Sequence, residues 1–486
     1  MSEKRRRPRL AFAFALLALF AAADAAMAWE WVYGPPNTVD QAKRRVQPVN
    51  HCQQEGQGYI AVGTFDQGNL NPEVYVVYTP LAGGPPVWEN TYDVLGFALP
   101  DEGVAIAAVH GGFVILSNVQ NGAWMPALTF IKCSGGVVWS QIYPDVVLGK
   151  DLLGKDLIRT ANGDLAVAGV WWNGNDEDAF LMRTNPAGGL LWNIAYNPGG
   201  SEAFNALTEA GPLTTSPVPD LIAVGRFNRT NGDLQGLVAR VNGANGAIGA
   251  APQCLAHHGT VNTQDVYYSV SPPLLTQPYV GQFAMVGTTS NPLWEDDVWV
   301  TRGNPCALAA QSRIGSPATA VPTAEDGFDI REALNGPVIG PAGGMLAIAG
   351  DHGPNPGGPY DATFLNVGTG ALLPVVGSGR VFGDHAFQNE IFYSLEEDPA
   401  GWPQNRWILA GLTETNWEGL GDPRDMYLVH YAPPGPGICE KGWKPVGYTI
   451  DWPQERLLFH RQAPAKDYPV NTPFWPQWNP FALHCP

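Results

Sequence analysis

The recurring combination in this sequence that could do chemistry is a large aromatic ring beside amides and carboxylates. Trp124, Trp171, Trp172, Trp294 and Trp417, with Tyr360, each fall in a short polar stretch. Asn69, Asn71, Asn173, Asn175, Glu295, Asp296, Asn416 and Glu418 occupy the same kind of stretch. Flat rings with hydrogen-bonding neighbours are what sugar or protein recognition uses, because the ring supplies contact area and the polar groups supply direction. Those six aromatics are therefore the expected ligand-binding set. The competing reading is that the rings fold back over their own strands.

One of these stretches also offers oxygen ligands. Asn173, Asn175, Glu177 and Asp178 lie within six residues of one another, and calcium takes oxygen-rich loops of this kind. The complete twelve-residue calcium loop is absent, and an acid that opens a strand is equally accounted for by capping turn N–H groups. Sharper catalytic signatures are missing: there is no Gly-x-Ser-x-Gly, no His-Glu-x-x-His and no Ser-x-Asp-x-Gly-x-x-Trp. No catalytic residue is assigned. His257 and His258 are adjacent, which in a strand places them on opposite faces. Asp351-His352 and Asp384-His385 read as loop hydrogen-bonding pairs.

The elements that must position these residues repeat. A run of apolar residues ending in glycine occurs at Gly63, Gly169, Gly225, Gly287, Gly350 and Gly411, with Ser117 as the variant. Within 9 to 14 residues comes a second apolar run, opened by an acid at Glu73, Asp178, Asp297, Asp361 and Asp425; Pro126 and Gln235 take that place in the other two copies. A closing strand carries Trp-x-x-x-Tyr at Trp88/Tyr92, Trp139/Tyr143 and Trp192/Tyr196. Seven strand-only units 52 to 63 residues apart predict an all-β ring of seven blades, a β-propeller, over residues 29–434. Trp29 to Gly34 has the closing-strand signature with no repeat before it, and the seventh repeat lacks one of its own. Pairing residues 29–34 beside the strand near 425–432 would close the ring and remove an exposed edge.

Glycine-ended strand, acid-opened strand and Trp-x-x-x-Tyr closing strand together resemble the repeats of exported bacterial β-propeller-repeat proteins. That resemblance implies the fold, together with a binding or surface-scaffold role. The Gly-Gly-x-x-Trp turns are also similar to those of quinone-dependent alcohol dehydrogenases, but the adjacent cysteine pair of that group is missing here.

The N-terminus reads as an export signal over residues 1–28: Lys4, Arg5, Arg6, Arg7 and Arg9 precede the apolar run Leu10 to Ala23, and Ala26-Met27-Ala28 fits a cleavage site. The expected location is secreted or periplasmic, with no membrane insertion. The net charge of −18 speaks against nucleic acid as a partner. Six cysteines in an exported chain imply disulfides. Nearness around the ring pairs Cys52 with Cys133 and Cys254 with Cys306, and Cys439 with Cys485 bracket a Pro- and Trp-rich extension, 435–486, expected to dock on the propeller. No organic cofactor is implied. The function expected is a non-catalytic binding or scaffold protein that recognises a protein or glycan through one face of the disc. The alternative is a propeller hydrolase or lyase acting on an extracellular polymer.

Overall fold

The computed structural model describes residues 29–33, 39–42, 46–52, 54–66, 72–94, 99–144, 149–210, 218–229, 232–249, 252–259, 263–290, 296–315, 323–333, 344–354, 360–372, 380–382, 389–397, 406–413 and 425–431. They form seven antiparallel sheets: five are four-stranded meanders whose strands pair in chain order, in the first Val39–Ala42 and Gln47–Val49 both pair with Gly58–Asp66, and the last is completed from the N-terminus. The fold is a seven-bladed β-propeller.

Buried side chains gather into seven apolar clusters, and each cluster draws on two successive blades. Leu181 and Ala179 of the third blade meet Phe204, Leu221 and Leu237 of the fourth, for example. A single blade therefore buries its faces only against its neighbours, which is the physical reason for the ring.

The last blade takes its outermost strand from the N-terminus. Trp29–Tyr33 pairs antiparallel with Asp425–Tyr431, Trp29 opposite His430 and Tyr33 opposite Met426. The closure expected from the sequence is present.

One strand per blade was not visible in the repeat. The glycine-ended run is the second strand of its blade, and an innermost strand precedes it, as Leu152–Arg159 precedes Leu165–Trp172 in the third blade. In blades 2 to 7 that innermost strand carries a bulge just after the residue facing the glycine position. The bulge explains the glycine. A Cβ on Gly169 would lie 2.0 Å from the Leu153 carbonyl oxygen, and one on Gly225 would lie 1.9 Å from that of Ala203. In the second blade the glycine has crossed over, with Gly103 on the innermost strand facing Ser117.

Strand alternation sorts the connections. Loops between second and third strands, and the links from blade to blade, emerge on one face, here the upper. Turns between third and outermost strands, and those between innermost and second strands, emerge on the lower face. The Trp-x-x-x-Tyr motif works at the lower edge, where it clasps each blade to the next. Tyr92 donates to the Gly135 carbonyl at 2.8 Å, Tyr143 to Gly188 at 2.6 Å and Tyr196 to Gly246 at 2.6 Å. Trp88 and Trp192 add bonds to Cys133 and Gly243. Tyr33, in the strand borrowed from the N-terminus, does the same to Gly84 at 3.0 Å. Gly188 sits at φ +80°, and a Cβ there would come within 2.9 Å of Trp139, so the turn that accepts the clasp requires glycine.

Both expected disulfides among the described residues are formed, Cys52–Cys133 and Cys254–Cys306. Each joins neighbouring blades at the lower face. Cys439 and Cys485 lie outside the described residues. No helix among the described residues is long and apolar enough to cross a membrane.

Candidate functional site

Of the aromatic set expected from the sequence, the described members Trp124, Trp171, Trp172 and Tyr360 stand at the upper face, on blades 2, 3 and 6. Trp171 is half-buried and packs against the cluster shared by the second and third blades, flanked in the sheet by Leu152 and Asp178. Trp172, next to it, is 41% exposed. Its N–H donates to the Asp151 carbonyl at 2.8 Å. Trp124 is half-buried, and its backbone N–H donates to the Asp151 carboxylate at 2.8 Å, so one aspartate in a blade-to-blade link ties down two aromatic loops. Trp294 and Trp417 lie outside the described residues.

The oxygen-rich loop is organised as a capped turn. Asn173 Oδ1 accepts from the backbone N–H groups of Asn175 and Asp176 at 2.8 and 3.1 Å, while Asn173 Nδ2 donates to Asp176 and, at 3.1 Å, to Asp178. Glu177 turns away to pair with Arg226 of the next blade. Among the described residues, the one group of three His, Cys or acidic side chains close enough to share an ion is His51, Cys52 and Cys133, and both of those sulfurs are committed to the disulfide.

A different constellation forms where the fifth and sixth blades meet. Asp326 is on the innermost strand of blade 6 (Thr323–Ala333), Asp351 on its second strand (Met345–Pro354) and Asp296 opens the third strand of blade 5 (Asp296–Asn304). Asp326 accepts from the Thr288 hydroxyl and, through its backbone N–H, donates to Asp351 at 3.2 Å. Tyr360 stands at the upper end of blade 6, its backbone N–H held by Asn389 at 2.9 Å. Burial pushes its phenol up, and the fields of Asp351, Asp326 and Asp296 add to that. Tyr268 is pushed up more strongly, first by burial and then by Asp326, with Thr288 opposing and Asp351 and Asp296 contributing. Both phenols therefore remain protonated donors in the pH range of life. Sequence spacing concealed this group, since its members come from five strands and loops that only the ring brings together.

Tyr268 also begins a line of rings around the axis. It is the extra residue of the bulge on its innermost strand, as Phe328 and Tyr393 are on the next two. Tyr268 to Phe328 and Phe328 to Tyr393 are each 5.2 Å between centroids. One step further down the same strands lies an ionic layer. Arg331 donates to Asp329 at 2.8 Å and to Glu396 at 3.1 Å, and Asp329 also accepts from Ser269 and from the Leu395 N–H. Burial acts to discharge Arg331, but Asp329, Glu396 and, from blade 3 across the ring, Asp156 outweigh it and hold the guanidinium charged. From the upper face inward, the order is thus carboxylates with phenols, then aromatic rings, then a satisfied ion network.

No protein-family profile matches this chain, and no curated protein matches it. Several solved structures align with it at low identity. A polysaccharide lyase, Uly1, aligns with a TM-score of 0.42 and 10% identity over 80% of this chain and 90% of its own. YCF48 bound to D1 peptide aligns with a TM-score of 0.41 and 11% identity over 85% and 97%. The β-propeller domain of the Trilobed protease from Pyrococcus furiosus aligns with a TM-score of 0.39 and 8% identity over 82% and 97%. Binding proteins and enzymes both occur among these neighbours, and at such identities the likeness concerns the fold alone.

Proposed function

We propose that this chain is an exported, non-catalytic recognition or scaffold protein of the β-propeller-repeat kind, and that it takes an extracellular or periplasmic protein or glycan on its upper face. The observation that carries the reading is the meeting of Asp296, Asp326 and Asp351 with Tyr268 and Tyr360 above the ring line Tyr268, Phe328, Tyr393. Protonated phenols donate, carboxylates accept and aromatic faces stack, which is the combination a hydroxyl-rich sugar or a peptide backbone engages. The leader-like N-terminus and the two disulfides support export.

A screen of the purified protein against glycan and peptide arrays, scored for both retention and product release, separates recognition from turnover. Retention without product is the expected result. For a retained ligand, replacing Tyr360 by Phe and Asp296 by Asn together removes two ligand bonds of about 1 kcal/mol or more each, so binding should fall at least roughly tenfold. Thermal unfolding should be unchanged. Release of product at a steady rate, or binding indifferent to this double substitution, overturns the assignment.

A further inference from the structure

We infer that residues 435–486 fold back across the lower face and cover an apolar arc there. Nine large apolar side chains stand exposed among the described residues, and eight of them are at the lower face. Trp172 is the exception. Val137 and Val138, at 54% and 48%, open the outermost strand of blade 2, and Leu190 and Leu191, at 50% and 53%, open that of blade 3. Leu275 and Val280 stand exposed in the lower loop of blade 5. The clasp fixes the glycine turn before these pairs and the tryptophan after them, but nothing in it demands Val-Val or Leu-Leu between. Apolar residues repeated at one edge of successive blades mark a surface that is covered.

The chain itself delivers an occupant to that face. Asp425–Tyr431 is the third strand of blade 7 and runs from the upper face to the lower, so it ends on the lower side at Tyr431. The blade's outermost place is already filled by Trp29–Tyr33, which frees the following residues from completing the sheet. There are 55 of them, with Trp443, Trp452, Phe474, Trp475 and Trp478 spaced among prolines. At about 3.3 Å per extended residue they reach well beyond the roughly 50 Å width expected of a ring of about 400 residues.

Charge selects this occupant over the others. Residues 29–431 hold 17 basic and 39 acidic side chains, whereas residues 432–486 hold five and four. A second copy would bring two strongly acidic discs together. The extension is near neutral and meets no such repulsion. This inference does not depend on what the upper face binds.

The test places a photo-activated diazirine amino acid at position 191, and separately at 138, in the full chain, and irradiates a mixture of unlabelled and isotope-labelled protein. The expected cross-links join those positions to peptides within 435–486 of the same isotopic chain. Cross-links between labelled and unlabelled chains, or to propeller residues alone, overturn the inference. A second measurement uses the full-length double variant Leu190→Asp with Leu191→Asp. Protease should then cut within 435–486 at least tenfold faster than in the parent, with residues 29–431 equally resistant in both. Equal cutting rates in the extension overturn the inference as well.

Discussion

The ring is held together differently on its two sides. From blade 7 through blades 1, 2 and 3 to blade 4, every junction is clasped by a tyrosine of the outermost strand on a glycine carbonyl of the next blade's lower turn. From blade 4 onward the motif is gone, although the apolar clusters continue without a break. At the blade 4 to 5 junction the outermost strand and the facing turn carry Cys254 and Cys306 instead. At the next junction Arg302 reaches across to the Gly370 carbonyl at 3.0 Å, the reach that Arg183 makes to Gly243 beside a clasp. The difference teaches that apolar burial supplies the attraction at every seam, while register at the seam is set by whichever directional bond the local sequence provides: phenol, disulfide or guanidinium.

The sharpest way to break this comparison is at the one seam where a disulfide stands in the clasp's place. Replacing Cys254 and Cys306 by Ser should cost about 2–4 kcal/mol in denaturant unfolding. Hydrogen exchange should quicken first in Cys254–His258 and Ala307–Ile314, the outermost strands of blades 4 and 5. The same exchange in Trp192 to Tyr196 should stay slow. A loss spread evenly around the ring would mean that the disulfide does not act as a local seam.

A smaller effect is expected at a clasp. Tyr196 is buried, its phenol pushed well up by that burial, and its hydroxyl donates to Gly246 at 2.6 Å. Tyr196→Phe keeps the ring's packing against Phe204 and leaves the Gly246 carbonyl without this donor, for a cost of about 1 kcal/mol. Urea unfolding of Tyr196→Phe beside Tyr143→Phe should give similar losses, since both phenols donate to the facing glycine carbonyl over 2.6 Å. A neutral outcome at both would reduce the motif to ring packing.

Much of this was readable in the sequence because the informative residues recur. Glycine at the bulge, acid at the third strand and Trp-x-x-x-Tyr at the clasp each answer a local steric or hydrogen-bonding demand, and a demand met in several blades, six times for the glycine and five for the acid, shows as a period. The borrowed strand and both disulfides followed from that period. The innermost strands did not, since stretches such as Leu152–Arg159 and Gln264–Val270 share no marker residue: their bulges are backbone events, and the bulged residue ranges from Lys155 to Tyr268. The upper-face cluster was hidden for another reason. Asp296, Asp326 and Asp351 answer no repeating demand, and neighbouring strands alone make them meet.

The third and fourth blades offer the subtlest test, because their seam is clasped below and charged above. Glu202, on the innermost strand of blade 4, is fully buried. Burial raises its carboxyl to about 7, the Gly200 backbone opposes the rise, and Asp178 and Asp176 add to it. Between the ordinary carboxylate range and pH 7 the folded chain keeps a proton that the unfolded chain has released, so stability declines as pH rises through that window and the penalty is complete above it. Glu202→Gln keeps the shape and removes the titration. Near pH 5 the variant and parent should unfold within a few tenths of a kcal/mol of each other, as isosteric changes away from a titrating state do. Above pH 8 the variant should be the more stable, with exchange at Ser201 to Glu209 slowed while that at the clasped lower turn is unchanged. A parent whose stability is flat from pH 5 to 8, or a variant that loses stability across the whole range, would show that the carboxylate is satisfied in place and that the clasp is not offsetting a weak upper seam.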